Sequence, residues 1–446
     1  MPVTSGPGGF EASGLDQQAS SPKPLRILLG ARRDLTKHVS PAAVAQKNLI
    51  RSNSGNTIFG HAVHRVVSTE GAQIRVDAAE ANVARAEEIN ERFDQYIIPL
   101  ANAFRPSFVQ PLDQYSALIE KLRIPVVIVG IGVQMNAESS DPGRLDPVRA
   151  NIDRFMRAVL KRSASVGVRG ETTYNYLRSI GYSDDELTVI GCPSLFQYGQ
   201  LKIRDFGEVT KESLVTLNLS PYLPKMGPIS AANTVRYPRL RYVPQDILTL
   251  RTVLYGEEPP DADQHGPQIP YRSEDFLLRE GRTDFFVDPT TWTKWLAQRD
   301  FSFGSRIHGN IASLLAGTPA FVIAHDSRTR ELADYHEIPY RLLKSVPDDV
   351  DARELFADAD FTAFHANQQQ RFDNYLQFLE RNGIRHIFSG RPADADSVAA
   401  FDAKVEAARN KRPTTSAGPM AKRVRRQRLR TRRAGSALLQ KARSKR

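Results

Sequence analysis

Cysteine occurs once in the 446 residues, at Cys192. A single thiol excludes an intramolecular disulfide and a Cys-rich zinc cluster, and it fits a reducing compartment. Long apolar runs are also missing. The longest, Pro125 to Val133, is strand-sized, whereas a membrane-spanning helix needs roughly 20 apolar residues. The opening residues, MPVTSGPGGF, lack the basic start and apolar run of a secretory signal. These absences give the expectation of a cytoplasmic protein. HExxH, GxSxG and EF-hand patterns are absent, so no metal site is expected. Acidic residues stop before Lys411, and from there to Arg446 there are 14 Lys or Arg and no Asp or Glu. Removing those 14 from 61 leaves 47 basic against 50 acidic residues, so the net charge of +11 belongs to the tail and the body is near neutral.

What is present is ordinary globular composition, 41% hydrophobic and 25% charged, enough for two cores. Residues 1–24, rich in Gly, Ser and Pro, read as disordered. Strand and helix signals then alternate. Strands are expected at 25–29, 96–100, 124–130, 165–168 and 187–190. Helices are expected after the SNSGN segment at 53–56, and at 81–93, 112–122, 152–161 and 172–180. The stretch 200–242 is less regular, with one strand at 213–219. Alternation resumes with helices at 245–254, 292–299, 307–316 and 363–381, and strands at 300–303 and 319–324. Apolar strands between helices indicate parallel sheets covered on both faces. The expectation is α/β: an N-terminal Rossmann-like domain at 25–204, a second at 205–390 carrying the donor site, and a linker with a basic disordered tail at 391–446.

Three segments carry chemistry. The first, Phe303-Gly304-Ser305-Arg306-Ile307-His308-Gly309-Asn310, lies where a strand ends and a helix begins. Such a junction offers free N–H groups and a helix dipole to an anion. Arg306 adds a planar fork for phosphate or carboxylate, His308 a proton donor, and Gly309 room for close approach. The alternative is a capped helix with an exposed arginine. The second, Val168-Arg169-Gly170-Glu171-Thr172, has the same form. Arg169 either enters the same cleft or pairs locally with Glu171. The third, Asn53-Ser54-Gly55-Asn56, opens a helix and suits sugar hydroxyls or an anion, or is a simple cap. It is neither a Walker loop nor GxGxxG. Asp326 also faces a strand end. His61 and His64, three apart on one helix, read as a surface pair, and Cys192 as a packed loop thiol.

In order and spacing, SNSGN, IPVVIVGIGVQ, VGVRGETTYNYL, VIGCPS and FSFGSRIHGNIASLLAGTPAFVI resemble the polysaccharide pyruvyl transferase family over about residues 50–340. The resemblance implies two Rossmann-like domains facing a cleft (GT-B-like), phosphoenolpyruvate as co-substrate and a saccharide acceptor. It carries the family's Arg-x-His pair onto Arg306 and His308, and a further donor-site arginine onto Arg169. The family often has Gly-Asp where this chain has Gly55-Asn56, which leaves the identity of a catalytic base open. No cofactor is expected. Two alternatives remain open: a glycosyltransferase using a nucleotide sugar, and a glycan-binding protein without catalysis. The tail, 411–446, has no aromatic residue for base stacking, so no specific nucleic acid is expected. Its charge suits peripheral contact with an anionic membrane at the inner face of the plasma membrane, where an acceptor could be lipid-linked.

Overall fold

The computed structural model describes residues 24–77, 81–135 and 142–416. The first domain runs β1 (Leu25–Leu29), α1 (Pro41–Lys47), α2 (Gly55–Val66), β2 (Ala72–Val76), α3 (Ala86–Arg92) and β3 (Gln95–Pro99). It continues through α4 (Val109–Lys121), β4 (Val126–Val129), α5 (Arg149–Leu160), β5 (Val166–Val168), α6 (Glu171–Ser179) and β6 (Leu187–Val189). Its parallel sheet has the order β2-β1-β3-β4. A parallel bridge from Ile131 to Val168 joins β4 to the β5-β6 pair. The side chains of β4 are all fully buried, as expected for a strand covered on both faces. Burying each of its valines contributes about 1.5–3 kcal/mol.

The second domain contains β7 (Val215–Asn218), α7 (Met226–Arg236), β8 (Arg241–Tyr242), α8 (Ile247–Tyr255), α9 (Phe276–Arg279), β9 (Asp284–Phe285), α10 (Pro289–Leu296) and β10 (Phe301–Gly304). It ends with α11 (Ile307–Leu315), β11 (Ala320–Ala324), α12 (Ser327–His336), β12 (Tyr340–Leu342) and α13 (Ala352–Ala357). The order β12-β11-β10-β7-β8 is parallel throughout. Each sheet therefore reverses direction once, between β1 and β3 in the first and between β7 and β10 in the second. Ligands of open parallel sheets bind outside the carboxyl ends of strands at such points.

The chain then returns to the first domain. The helix α14 (Thr362–Arg381) puts Phe372, Tyr375, Phe378 and Leu379 into the same core as Ile27, Leu29, Val127 and Val129. The segment from 391, read above as linker and disordered tail, is a helix over α15 (Pro392–Ala408), and β13 (Thr414–Thr415) pairs antiparallel with β9. Proline at the first helical position and the alanines that follow favour this helix. The helix α15 covers α2: Phe401 packs on His61 and His64, with ring centroids 5.7 and 4.6 Å away. The two histidines are thus buried rather than a surface pair, and burial lowers them to about 3 and about 4. No group of metal-ligating side chains and no helix long and apolar enough to cross a membrane occurs among the described residues. The expectations for residues 1–23 and 417–446, which include most of the basic tail, lie outside the described residues.

Candidate active site

The site is built around the turn from β10 to α11. Gly304 has φ +146°, and a Cβ there would lie 1.6 Å from the Asn218 carbonyl oxygen, so no side chain fits. The close passage lets Ser305 N–H donate to the Asn218 carbonyl and Arg306 N–H to Asn218 Oδ1, both at 3.0 Å. Asn218 Nδ2 donates to Asn310 Oδ1 (3.0 Å), and Asn310 Nδ2 donates to the Gly304 carbonyl (3.0 Å). Both asparagines are fully buried, where an unpaired amide would cost about 1–3 kcal/mol. Ser305 Oγ accepts from Ser220 N–H at 2.9 Å and pins the end of β7 alongside. The turn is fixed from several sides. It presents Arg306 at the N-cap of α11 and His308 in its first turn, with no side chain capping the free N–H groups.

Two elements of the first domain meet this turn. A Cβ on Gly55 would lie 2.6 Å from His308 Cβ, so the start of α2 abuts the start of α11. Asn53 Oδ1, not the Ser54 hydroxyl, accepts from Gly55 N–H (2.9 Å). Ser54 is buried, and its N–H donates to the Gln245 carbonyl (2.8 Å). Asn56 is exposed and donates to the Ile50 carbonyl. Arg169 leaves the end of β5 and is buried. Gly132 clears its path, since a Cβ there would lie 2.5 Å from Arg169 Cδ. The carboxylate that acts most strongly on Arg169 is Glu331, not Glu171. Glu171 is exposed and lines a separate groove with Tyr335 and Arg371.

Glu331 belongs to α12, which docks on the first domain at three points. Ser327 Oγ accepts from Met135 N–H (2.8 Å), Glu331 Oε1 from Thr173 N–H (2.7 Å), and His336 Nε2 from Cys192 N–H (2.8 Å). Gly170 and Gly191 leave space for the second and third: a Cβ would come within 2.3 Å of Glu331 Cγ or His336 Nε2. Burial pushes the Glu331 carboxyl up to about 7, against the pull of Arg169. At the other end of α12, Asp326 is the N-cap. Its Oδ1 accepts from Thr329 N–H (3.0 Å) and its Oδ2 pairs with Arg328. Burial opposes ionisation of Asp326, but Arg328 and His325 outweigh it and hold the carboxyl below its usual range.

These groups enclose a cavity of about 90 Å³ lined by Arg169, Arg306, Arg328, His308, His325 and Gln245. Its described lining contains no carboxylate. Burial, then the charges of Arg169, Arg328 and Arg306, lower His308 to about 3, so its imidazole is neutral at pH 7. His325 is lowered to about 4, again chiefly by burial. Cys192 Sγ lies 4.0 Å from His308 Nε2, and burial pushes the thiol up, so it is a packed thiol and a poor nucleophile. A second cavity, about 270 Å³, adjoins the first through Asn56, Ala101 and Asn102 and lies at the switch point between β1 and β3. Arg32, Arg105 and Phe59 line it.

The structure brings Arg169, Arg306, His308 and the 53–56 segment, each singled out in the sequence, to one place. Sequence reasoning missed Arg328, His325, Glu331, Gln245 and Asn218. Arg328 and His325 flank Asp326 in the sequence and share its strand-end position, which was the available signal. Glu331 and Asn218 are joined to the site only by long-range packing. Gln245 stands in a stretch with no motif. It is 1% exposed, and neither of its side-chain polar atoms has a partner among the described residues.

A family model described as polysaccharide pyruvyl transferase matches residues 107–327. No curated protein matches the chain. Among solved structures, the chain is similar to the UDP-GlcNAc 2-epimerase from Neisseria meningitidis bound to UDP-GlcNAc, at 10% identity and a TM-score of 0.38, covering 86% of this chain and 100% of that one. It is also similar to the glycosyltransferase SnogD from Streptomyces nogalater, at 12% identity and a TM-score of 0.33, with 86% and 100% covered. The family match leaves Asn53–Asn56 and Arg328 outside its bounds but contains the turns that present the other charged groups of the cavity. Over residues 107–327, a span that takes in Arg169, Arg306 and His308, the chain matches the polysaccharide pyruvyl transferase family.

Proposed function

We propose that the protein transfers the pyruvyl group of phosphoenolpyruvate to two hydroxyls of a saccharide, forming a cyclic ketal in cell-surface polysaccharide or glycolipid synthesis. The observation that carries this reading is the convergence of three guanidinium groups and the starts of α2, α11 and α12 on one small cavity beside a buried imidazole. Phosphoenolpyruvate is small and bears a phosphate and a carboxylate. Fixed positive groups in a low-dielectric cavity bind such a ligand without reorganising. The family match supports a transferase acting on polysaccharide.

In this scheme Arg169, Arg306 and Arg328 hold the donor's anionic groups, and the saccharide enters from the adjoining cavity past Asn53 and Asn56. His308, which the bound donor's phosphate and carboxylate bring to its charged form, delivers a proton to C3, which makes C2 electrophilic. One hydroxyl oxygen bonds to C2, the C2–O bond to phosphate breaks, and a second hydroxyl oxygen closes the ketal. Two hydroxyl protons are released; one balances the proton gained at C3 and the other departs with phosphate. No cofactor is needed in this scheme.

The test is incubation with saccharide acceptors and either phosphoenolpyruvate or a nucleotide sugar. Release of inorganic phosphate with the first donor alone is the expected result; release of a nucleoside diphosphate with the second would replace this reading with glycosyl transfer. The basic segment 411–446 is proposed to hold the enzyme at anionic membranes, each Lys or Arg contributing about 1 kcal/mol. The chain is expected to co-sediment with anionic vesicles at low salt and to lose this on truncation after Ser416, which spares β13. Failure of the full chain to co-sediment would remove the membrane role.

A further inference from the structure

The groups placed around the donor are cations or hydrogen-bond donors, whereas a hydroxyl that attacks C2 must hand its proton to an acceptor. No carboxylate is available among the described residues lining the cavity. Asn56 also lines the cavity, and an amide cannot take a proton at neutral pH.

Tyr222, in the turn after β7, also lines the cavity and is 50% exposed. Its ring lies beneath Arg306, with the guanidinium carbon 5.8 Å from the ring centroid. Its hydroxyl is 3.3 Å from His325 Nε2, and Arg328 acts on the same hydroxyl. The His325 side chain is 7% exposed, and its Nε2 lies 3.5 Å from Asp326 Oδ2. Tyr222 Oη and Asp326 Oδ2 thus both approach the same ring nitrogen, His325 Nε2, while Nδ1 has no partner among the described residues. Arg328 stabilises negative charge as it develops on the phenol, and Asp326 stabilises positive charge as it develops on the imidazole.

We propose that Tyr222 and His325 form the catalytic base for pyruvyl transfer. The acceptor hydroxyl gives its proton to Tyr222 Oη while Tyr222 gives its own to His325 Nε2. The acceptor O–H bond breaks, the bond from that oxygen to C2 forms, and Tyr222 ends neutral. His325 carries the proton as an imidazolium beside Asp326 and returns it to the phosphate as the C2–O bond to phosphorus breaks. The proton of the second hydroxyl restores His308. Each hydroxyl thus has its own imidazole. The inference rests on the pyruvyl-transfer reading above.

The test compares Tyr222→Phe, His325→Gln and the double variant with the full-length wild type, using phosphoenolpyruvate and a saccharide that the wild type converts. Tyr222→Phe keeps the ring against Arg306 and removes only the hydroxyl. Its kcat should fall about 100-fold, while the dissociation constant for phosphoenolpyruvate, read by calorimetry, stays within about threefold. The double variant should be no slower than the slower single variant, because one relay is broken once. A Tyr222→Phe enzyme with kcat within about threefold of wild type overturns the relay and leaves pyruvyl transfer standing. A loss of donor affinity matching the loss of rate overturns it too, making Tyr222 a binding residue. A wild type that forms no ketal from phosphoenolpyruvate overturns the parent reading, and the relay with it.

Discussion

Replacing His308 with glutamine is expected to lower kcat about 10²–10⁴-fold and to remove one limb of its pH profile. In the free protein His308 titrates at about 3, held there by burial and by Arg169, Arg328 and Arg306. It is charged below that value and neutral at pH 7. A bound donor sets a phosphate and a carboxylate among the same three arginines, and this opposing charge raises the imidazole's pKa. The imidazolium is then present below the raised value and lost as pH rises through it. The wild-type kcat should accordingly fall towards high pH, and the kcat of His308→Gln should not. The ratio kcat/KM reports the free protein and should show no break from His308 near neutrality. If the rate falls and the limb persists, His308 acts as a neutral hydrogen-bond donor to the departing phosphate. If neither changes, it has no part in the chemistry.

Arg306→Ala should reduce kcat/KM for phosphoenolpyruvate by about 2–5 kcal/mol of transition-state stabilisation. That corresponds to a loss of about 30-fold to several thousand-fold. The fold should survive the change. The turn is held through the Arg306 backbone N–H on Asn218 Oδ1 and by the Asn218–Asn310 amide pair, none of which needs the guanidinium. Arg306→Lys should fall between the two, because it keeps the charge but not the planar fork. An Arg306→Ala enzyme with wild-type kcat/KM for phosphoenolpyruvate would remove Arg306 from the donor site.

The sequence made the buried elements and the strand-end turns legible, and it hid whatever depends on contacts far along the chain. The run at 124–130 announces a fully covered strand, and β4 is one. The neighbouring β2 escaped notice because it is an edge strand: Ala72, Ile74 and Val76 are half-buried while Gln73 and Arg75 face solvent. The alternation was in the sequence, but without an apolar run. The helix α7 was hidden differently. Its buried face includes Ser230 and Asn233, and Asn233 serves the Ile229 and Val350 carbonyls and the Ala352 N–H instead of presenting an apolar stripe. The helix α15 has Phe401 and Val405 as its main apolar anchors, and what they cover, α2, is more than 300 residues away.

The same division holds at the site. Gly304, Arg306 and His308 are neighbours in sequence, so their junction could be read directly. The reason Gly304 must be glycine, the Asn218 carbonyl 1.6 Å from a would-be Cβ, could not. Arg169 was legible as a strand-end arginine, but its partner was not. Glu171, two residues away, is exposed, whereas Glu331 reaches across from α12. Helical spacing in 171–179 says nothing about a carboxylate 160 residues further on. The histidines at 61 and 64 were misplaced for the same reason, since the helix that buries them follows the second domain.

The most direct test of pyruvyl transfer is carbon-13 NMR of a reaction run with phosphoenolpyruvate labelled at C2 and a saccharide with two neighbouring hydroxyls. The labelled carbon should leave the enol region and appear as a ketal carbon bonded to two sugar oxygens, with one phosphate released for each ketal formed. Label that remains in phosphoenolpyruvate, or that appears only as free pyruvate, across acceptors presented as free, nucleotide-linked and lipid-linked sugars would contradict the account.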